Sequence, residues 1–234
     1  MTSRLGTLFS RAKEIYQEEG ILSLFKRTFS FMVSPLLSEF GIFYVYELAL
    51  RERNEADYLP KIQSVTHTMV ETVEHLDELT KDEFDLSLLD MSLARHRLEQ
   101  GAILSLTCIG NELAYTGWSA LTEKAKNTFN RYPYKVGFAN NEICRGASWT
   151  NPKYRRQGIS YYSSYKEEQF LIAKGATKSR AIVLSSNIAS QKGNDKAGSK
   201  LVAKARYFRI FGLQFWRERP VRSVDDEDRL TLLG

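Results

Sequence analysis

The residues best suited to chemistry form one string, Ser148-Trp-Thr-Asn-Pro-Lys-Tyr-Arg-Arg-Gln-Gly-Ile-Ser160. A strand leads in, a basic turn carrying Gly158 follows, and a helix begins directly after it. Such a turn leaves several backbone N–H groups without partners and aims them one way, with the positive end of a helix dipole behind them. That is a site for an anion, phosphate foremost. Gly158 lets the backbone come close to a ligand, and Ser160 is small enough to do the same. Arg155 and Arg156 add charge at the rim. A purely structural explanation competes, because any strand–turn–helix connection can contain Arg and Gly. Other side chains offer less. His67, His75, His96, Cys108 and Cys144 lack metal-ligand or redox spacing, so no metal is expected, and no Ser/His/Asp grouping stands out. Tyr161, Tyr162 and Tyr165 read as packing before substrate contact.

The string resembles the acyl-coenzyme A motif of the GNAT acetyltransferase superfamily: a Gln or Arg, two residues, Gly, one residue, then Gly or Ala. Arg155, Gly158 and Ser160 occupy these places, with Ser as the last small residue. Thr150-Asn151-Pro152 stands where the family's strand ends before x-Pro. A second family signature, an Asn followed eleven positions later by Gly, is met by Asn187 and Gly198. The resemblance spans about residues 62–220. It implies a mixed α/β fold with a central sheet and flanking helices. It also implies acetyl-coenzyme A, or another acyl-coenzyme A, as co-substrate, with transfer to an amine or hydroxyl acceptor in a ternary complex. The pyrophosphate would rest on N–H groups of Arg156, Gln157, Gly158, Ile159 and Ser160. The pantetheine arm would run along Ala147, Trp149 and Thr150 as an extra strand, with Asn187 holding it from the helix beyond. Two departures bear on catalysis. The family's tyrosine acid, four residues before the second Gly, is matched by Asn194, which cannot act as an acid. Ser199 replaces the aromatic after that Gly. Tyr207 is a substitute acid, against its reading as an ordinary sheet aromatic. Glu142 is the candidate base, about two residues out of register, against its reading as a solvated strand end.

Elements must position these groups. Leu5, Leu8, Phe9, Ala12, Ile15 and Tyr16 follow helical spacing, and a second helical pattern runs from Ile21 until Pro35. Phe40 to Leu48 is dense in aromatic and β-branched residues and reads as a strand. The polar segment Arg51 to Tyr58 suggests a boundary. The expected organisation is a helical extension over 1–58, an acyltransferase domain over 59–220 and an acidic tail over 221–234. Within the domain the pattern predicts a strand over Ser64–Val73. A helix follows over Thr80–Gln100, with Thr80 as cap and Glu83 at the capping-box position. Strands over Ala102–Ile109 and Glu112–Leu121 flank Gly110-Asn111. A polar insertion covers Thr122–Tyr134, and a strand spans Glu142–Thr150, its even-numbered residues on one face. The remainder reads as a helix to Lys174, a short strand, a helix over Asn187–Ala197 and a hairpin around Gly212.

Net charge is +5. Residues Arg145 to Arg219 hold 16 Lys/Arg against 4 Asp/Glu, whereas Asn54 to Glu99 hold 4 against 11. A basic block points to a polyanionic partner: coenzyme, anionic membrane or nucleic acid. On Lys200–Ile210, alternation puts Lys200, Val202, Lys204 and Arg206 on one side and Leu201, Ala203, Ala205 and Tyr207 on the core side. A solvated basic strand is thereby favoured over a nucleic-acid face. Two alternatives to the enzyme stay open: a non-catalytic coenzyme A binder, and a basic nucleic-acid-binding module. Cysteine usage and the lack of an apolar leader suggest a cytoplasmic protein. Residues 1–38 pair apolar faces with cations, which fits packing on the chain, a homodimer interface or a peripheral membrane surface.

Overall fold

The computed structural model describes residues 37–81 and 84–221. The amphipathic helices and the acidic tail expected from the sequence lie outside the described residues. Eight strands form one mixed sheet in the order β2-β3-β4-β5-β6-β1-β7-β8. They are β1 Leu37–Ala49, β2 Val65–Val70, β3 Ala102–Ile109, β4 Glu112–Ala120, β5 Glu142–Thr150, β6 Lys178–Leu184, β7 Lys200–Ile210 and β8 Leu213–Pro220. The helices are α1 Val73–Lys81, α2 Met91–Glu99, α3 Glu123–Asn127, α4 Ile159–Ala173 and α5 Ile188–Ala197. This is the mixed α/β class expected. The chain divides into two units. One holds 37–41 and Arg206–Phe215, where the β7–β8 turn at Phe211 and Gly212 takes positive φ and Phe208 stacks on Phe215 at 4.7 Å. The other, Ile42–Ala205 with 216–221, carries everything described below unless stated.

Alternation along β3 sorts the core. Ala102, Leu104, Leu106 and Cys108 join Leu76 and Leu79 of α1 and Ala94 and Leu98 of α2 in one apolar cluster. Ile103 points the other way and packs with Ile143 and with Leu171 of α4. Two helical layers therefore cover opposite faces of the antiparallel strands, as apolar faces require.

Three expectations need correction. The single helix over Thr80–Gln100 is two. Thr80 sits in the last turn of α1 and bonds Asp77 O at 2.7 Å, while Asp90 caps α2 by accepting from Leu93 N at 3.0 Å. Between them Asp85 pairs with Asn111 and Glu112 at the β3–β4 hairpin, which draws the chain out of helix. Glu83 lies outside the described residues. Second, the Thr122–Tyr134 insertion is part of the core: Thr122 caps α3, and Lys126, Ala125 and Tyr134 are buried. Third, residues 37–58 do not form an extension apart from the sheet. Residues Phe43–Ala49 of β1 pair antiparallel with Leu184–Lys178 of β6, and Val45, Tyr46 and Leu48 are buried. The polar stretch after β1 then runs along α4. Tyr58 stacks on Tyr161 and Tyr165 at 4.6 and 4.7 Å, and Tyr165 donates to Arg53 O.

Candidate functional site

The site begins with a failure of pairing. β5 and β6 run parallel, but their ladder covers only Glu142–Cys144 against Lys178–Arg180. Beyond it β5 continues to Thr150 and β6 to Leu184 without bonding each other. A backbone edge in the middle of a sheet is thus left open, which a strand-like ligand can fill. β5 also carries a bulge. Gly146 pairs with Trp118 and Trp149 with Thr116, so Ala147 and Ser148 together oppose Gly117, and Ala147 takes φ +46°. Ala147 and Ser148 are exposed although β5 is central. The extra residue also overturns the expected alternation: past it the faces exchange, and Trp149 joins the cluster that contains Cys144.

The turn after β5 is tied to its surroundings by short-range polar contacts. Asn151 donates through its backbone N–H to Ala114 O at 2.9 Å and through its side chain to Leu113 O at 3.0 Å. Glu112 binds Lys153 and accepts from the Tyr154 hydroxyl at 2.5 Å. Those hydrogen bonds from Lys153 and Tyr154 hold the Glu112 carboxyl below the usual range. Tyr154 and Ile159 are buried against Ala114 and Tyr115. Gln157 O accepts from Lys61 N at 3.0 Å, and Arg155 Nε donates to Thr150 O at 3.2 Å. Arg156 and Gly158 both take positive φ, +63° and +85°. With the turn so fixed, the backbone N–H groups of Arg156, Gln157, Gly158, Ile159 and Ser160 donate to no acceptor among the described residues. They sit at the N-terminus of the fifteen-residue helix α4. The reason for glycine at 158 is its left-handed φ. A Cβ there would touch Pro60 Cα at 3.4 Å, ordinary contact.

Beneath the opening lies a buried polar system that the sequence did not announce. Arg145 pairs with Glu167 and Glu168 of α4, at 2.5 and 3.1 Å. Ser119 binds Glu167, and Thr107 shares a hydrogen bond with Ser163 at 2.6 Å. Burial works against the Arg145 charge, and Glu167 and Glu168 more than offset it, so the guanidinium is held above its usual range. The adjacent Glu167-Glu168 reads as a solvated helix face.

The remaining predicted residues are scattered. Asn187 caps α5, accepting from Ser190 N at 3.1 Å, and stands at the β6 side of the opening between the exposed Leu184 and Ile188. Asn194 donates to Ser190 O at 2.9 Å within that helix. Glu142 is at the closed end of the β5–β6 pair, bound to Lys178 and accepting from Gly137 N at 2.6 Å. Burial raises its carboxyl pKa, but Lys178 and the Gly137 N–H outweigh that and hold it below the usual range. Lys178 in turn pairs with Glu47. Tyr207 belongs to the other unit and is fully buried. Cys144 is buried beside the Tyr134 hydroxyl at 2.9 Å, and burial pushes its thiol up to about 12, which makes it inert. Tyr161 and Tyr165 stack against Tyr58, while Tyr162 donates to Glu55. No metal-binding group of His, Cys, Asp or Glu occurs among the described residues, and no helix among them is long and apolar enough to cross a membrane.

No family model and no curated protein matches the chain. Solved structures do, and most are GNAT acetyltransferases. A GNAT acetyltransferase from Colwellia psychrerythraea is 14% identical over 78% of this chain and 61% of its own, with a TM-score of 0.46. A GCN5-related N-acetyltransferase from Sphaerobacter thermophilus is 13% identical over 85% and 58%, with a TM-score of 0.46. A functionally unknown conserved protein from Staphylococcus epidermidis is 9% identical over 75% and 63%, also at 0.46. The chain spans about three fifths of the length of these solved chains.

Proposed function

We propose that the chain binds an acyl-coenzyme A in the opening between β5 and β6 and passes the acyl group to an amine or hydroxyl acceptor. The observation that carries this is the coincidence of two unpaired backbone surfaces: a parted pair of central strands, and five N–H groups without an acceptor among the described residues at the helix N-terminus that follows β5. A pantetheine arm carries two amides that pair with a strand edge, and a pyrophosphate is an anion that a helix N-terminus holds. Ala147, Ser148 and Trp149 offer the edge, and the exposed Leu184 and Ile188 offer apolar contact on the far side. Asn187 keeps its amide N–H groups for the arm, since its oxygen caps α5. The Thr150 carbonyl is engaged by Arg155.

The reaction needs little from side chains. The acceptor's lone pair attacks the thioester carbonyl, the C–S bond breaks, and coenzyme A leaves as a thiolate that takes up a proton; the acceptor nitrogen or oxygen loses one. A backbone N–H of the bulged strand polarises the carbonyl, and juxtaposition lowers the barrier further. Glu142, neutralised by Lys178 and remote from the opening's mouth, is ill suited to act as base. Water serves as proton acceptor and donor in this scheme. A non-catalytic coenzyme A binder is the second reading, favoured by Asn194 where the resembling family has an acid.

Ser160→Asp tests the site. An acidic residue in the first turn stabilises α4 through the helix dipole while repelling a pyrophosphate from the same N–H groups. Titration calorimetry should show coenzyme A binding to the parent and at least a tenfold loss in the variant, with an unchanged or raised unfolding midpoint. Equal affinity in both would remove the assignment. Binding without acetyl turnover over an acceptor panel would select the second reading.

A further inference from the structure

On the opposite side of the sheet from α4 the parted strands meet a second space. A cleft of about 440 Å³ is lined by Phe43 of β1, Arg97 of α2, the segment 127–132 from the end of α3 onward, and Ile182 of β6. Ile182 lies two residues past Arg180, the last β6 residue to pair with β5, so the cleft opens where the strands part. One wall is aromatic. Phe43 contacts Tyr132 at 4.5 Å and Trp216 at 5.5 Å between ring centroids. The other holds a cation without an ion-pair partner among the described residues. The Arg97 guanidinium lies over the Trp118 ring, 4.9 Å from its centroid, and its buried Nε makes no hydrogen bond. Among the described residues Arg97 has no ion pair, and Asp90 is the only charge that favours its protonated form against burial. Neighbouring polar groups are already engaged. Asn130 donates to the Tyr134 hydroxyl at 3.1 Å, Asn127 accepts from Lys126 at 3.4 Å and Thr128 bonds Ala125 O at 2.7 Å.

A guanidinium seated over an indole is restrained in direction, and its fork matches a carboxylate or phosphate through two parallel N–H donors. Its Nε is buried without a partner, which is costly, and an anion bound at the guanidinium would offset part of that cost. The aromatic wall suits a ring or other flat apolar body. We infer that this cleft binds a small amine or alcohol that bears a carboxylate or phosphate next to a ring, with Arg97 holding the anionic group. That such a molecule is the acyl acceptor rests on the function proposed above; that it binds does not.

The test uses the full chain and two probe pairs, phenylalanine with phenylalaninamide and glucosamine 6-phosphate with glucosamine, titrated by calorimetry with and without coenzyme A. In at least one pair the anionic member should bind ten or more times tighter than its neutral-group counterpart. The pair that shows it separates carboxylate from phosphate. Arg97→Met keeps the stem on Trp118 and should abolish the preference, Arg97→Lys should keep part of it, and both should bind coenzyme A as the parent does. Asn127→Asp, a change at the exposed last residue of α3, should weaken the anionic probe alone. Absence of any anionic preference, or an Arg97→Met protein that retains it, overturns the inference. Anion preference in a chain that does not bind coenzyme A would instead overturn the acyltransfer reading and leave the cleft assignment standing.

Discussion

Single residues in this site answer to demands of their own backbone and neighbours. Gly158 is glycine for its φ, and Glu142 is an anchor for Lys178. His67 makes the same point for titration. Its ring is held between the Thr107 hydroxyl at 2.9 Å and the Met69 sulfur at 3.3 Å. Burial, only partly countered by Glu167 and reinforced by Lys166, lowers its pKa to about 4. Between pH 6.5 and 4 the unfolded chain therefore binds a proton that the folded chain refuses. The sign follows from linkage: stability is complete above about pH 6.5 and falls as pH drops toward 4. The loss should be on the order of 2 kcal/mol after allowance for solvent screening. Urea unfolding of the parent and of His67→Gln over this range checks it. The variant should lose that part of the slope, and parallel curves would mean that carboxylates alone account for the acid response.

At the scale of elements, strands were legible and their irregularities were not. Alternation and β-branched runs located β3, β4, β5 and the β7–β8 hairpin to within a residue or two. The turn from Pro152 to Gly158 was legible because proline, glycine and arginine each have a local reason to be there. The β5 bulge was not, since nothing local distinguishes Ala147 from its neighbours, and Gly117 opposite is set by pairing. Nor was the break between α1 and α2, where Asp85 and Asp90 act through contacts with the hairpin and through capping. The largest surprise is α4, whose buried face carries Ser163, Glu167 and Glu168. Arg145 pairs with both carboxylates across the β5–α4 contact, and Arg53 stands 3.9 Å from Glu168. Removing one partner of a buried pair leaves an uncompensated charge, so Arg145→Met should destabilise the fold by about 3–5 kcal/mol. Adding Glu167→Gln and Glu168→Gln should recover most of it. If Arg145→Met shifts the urea midpoint by less than its error, the pairs contribute nothing net. If the triple variant is no better than the single, Arg145 acts by packing.

On the scale of the whole molecule the sequence misplaced one seam. A polar stretch at Arg51–Tyr58 looks like a domain boundary, and composition gives no sign that the aromatic strand before it pairs far away, with β6. That pairing joins residues more than a hundred positions apart, and such partners are chosen by global topology. The consequence is testable by truncation. A chain beginning at residue 59 loses β1, and with it the buried Phe43, Val45, Tyr46 and Leu48. The β6 edge, otherwise paired over seven residues with β1, then stands open beside the site. An open edge with apolar neighbours recruits other chains. The shortened protein should therefore aggregate or unfold without cooperativity, and should not bind coenzyme A. A chain beginning at residue 37 keeps β1 and should do both normally. Flotation with anionic liposomes, applied to the full chain and to this second form, then isolates residues 1–36. Salt-sensitive flotation of the full chain alone would assign them a membrane surface. Sedimentation of both, with a lower mass or unfolding midpoint for the shorter form, would assign them to packing on the chain or on a second copy. Should the chain beginning at residue 59 prove monomeric, cooperative and competent to bind coenzyme A, β1 would be an addition to a self-sufficient sheet rather than part of its core.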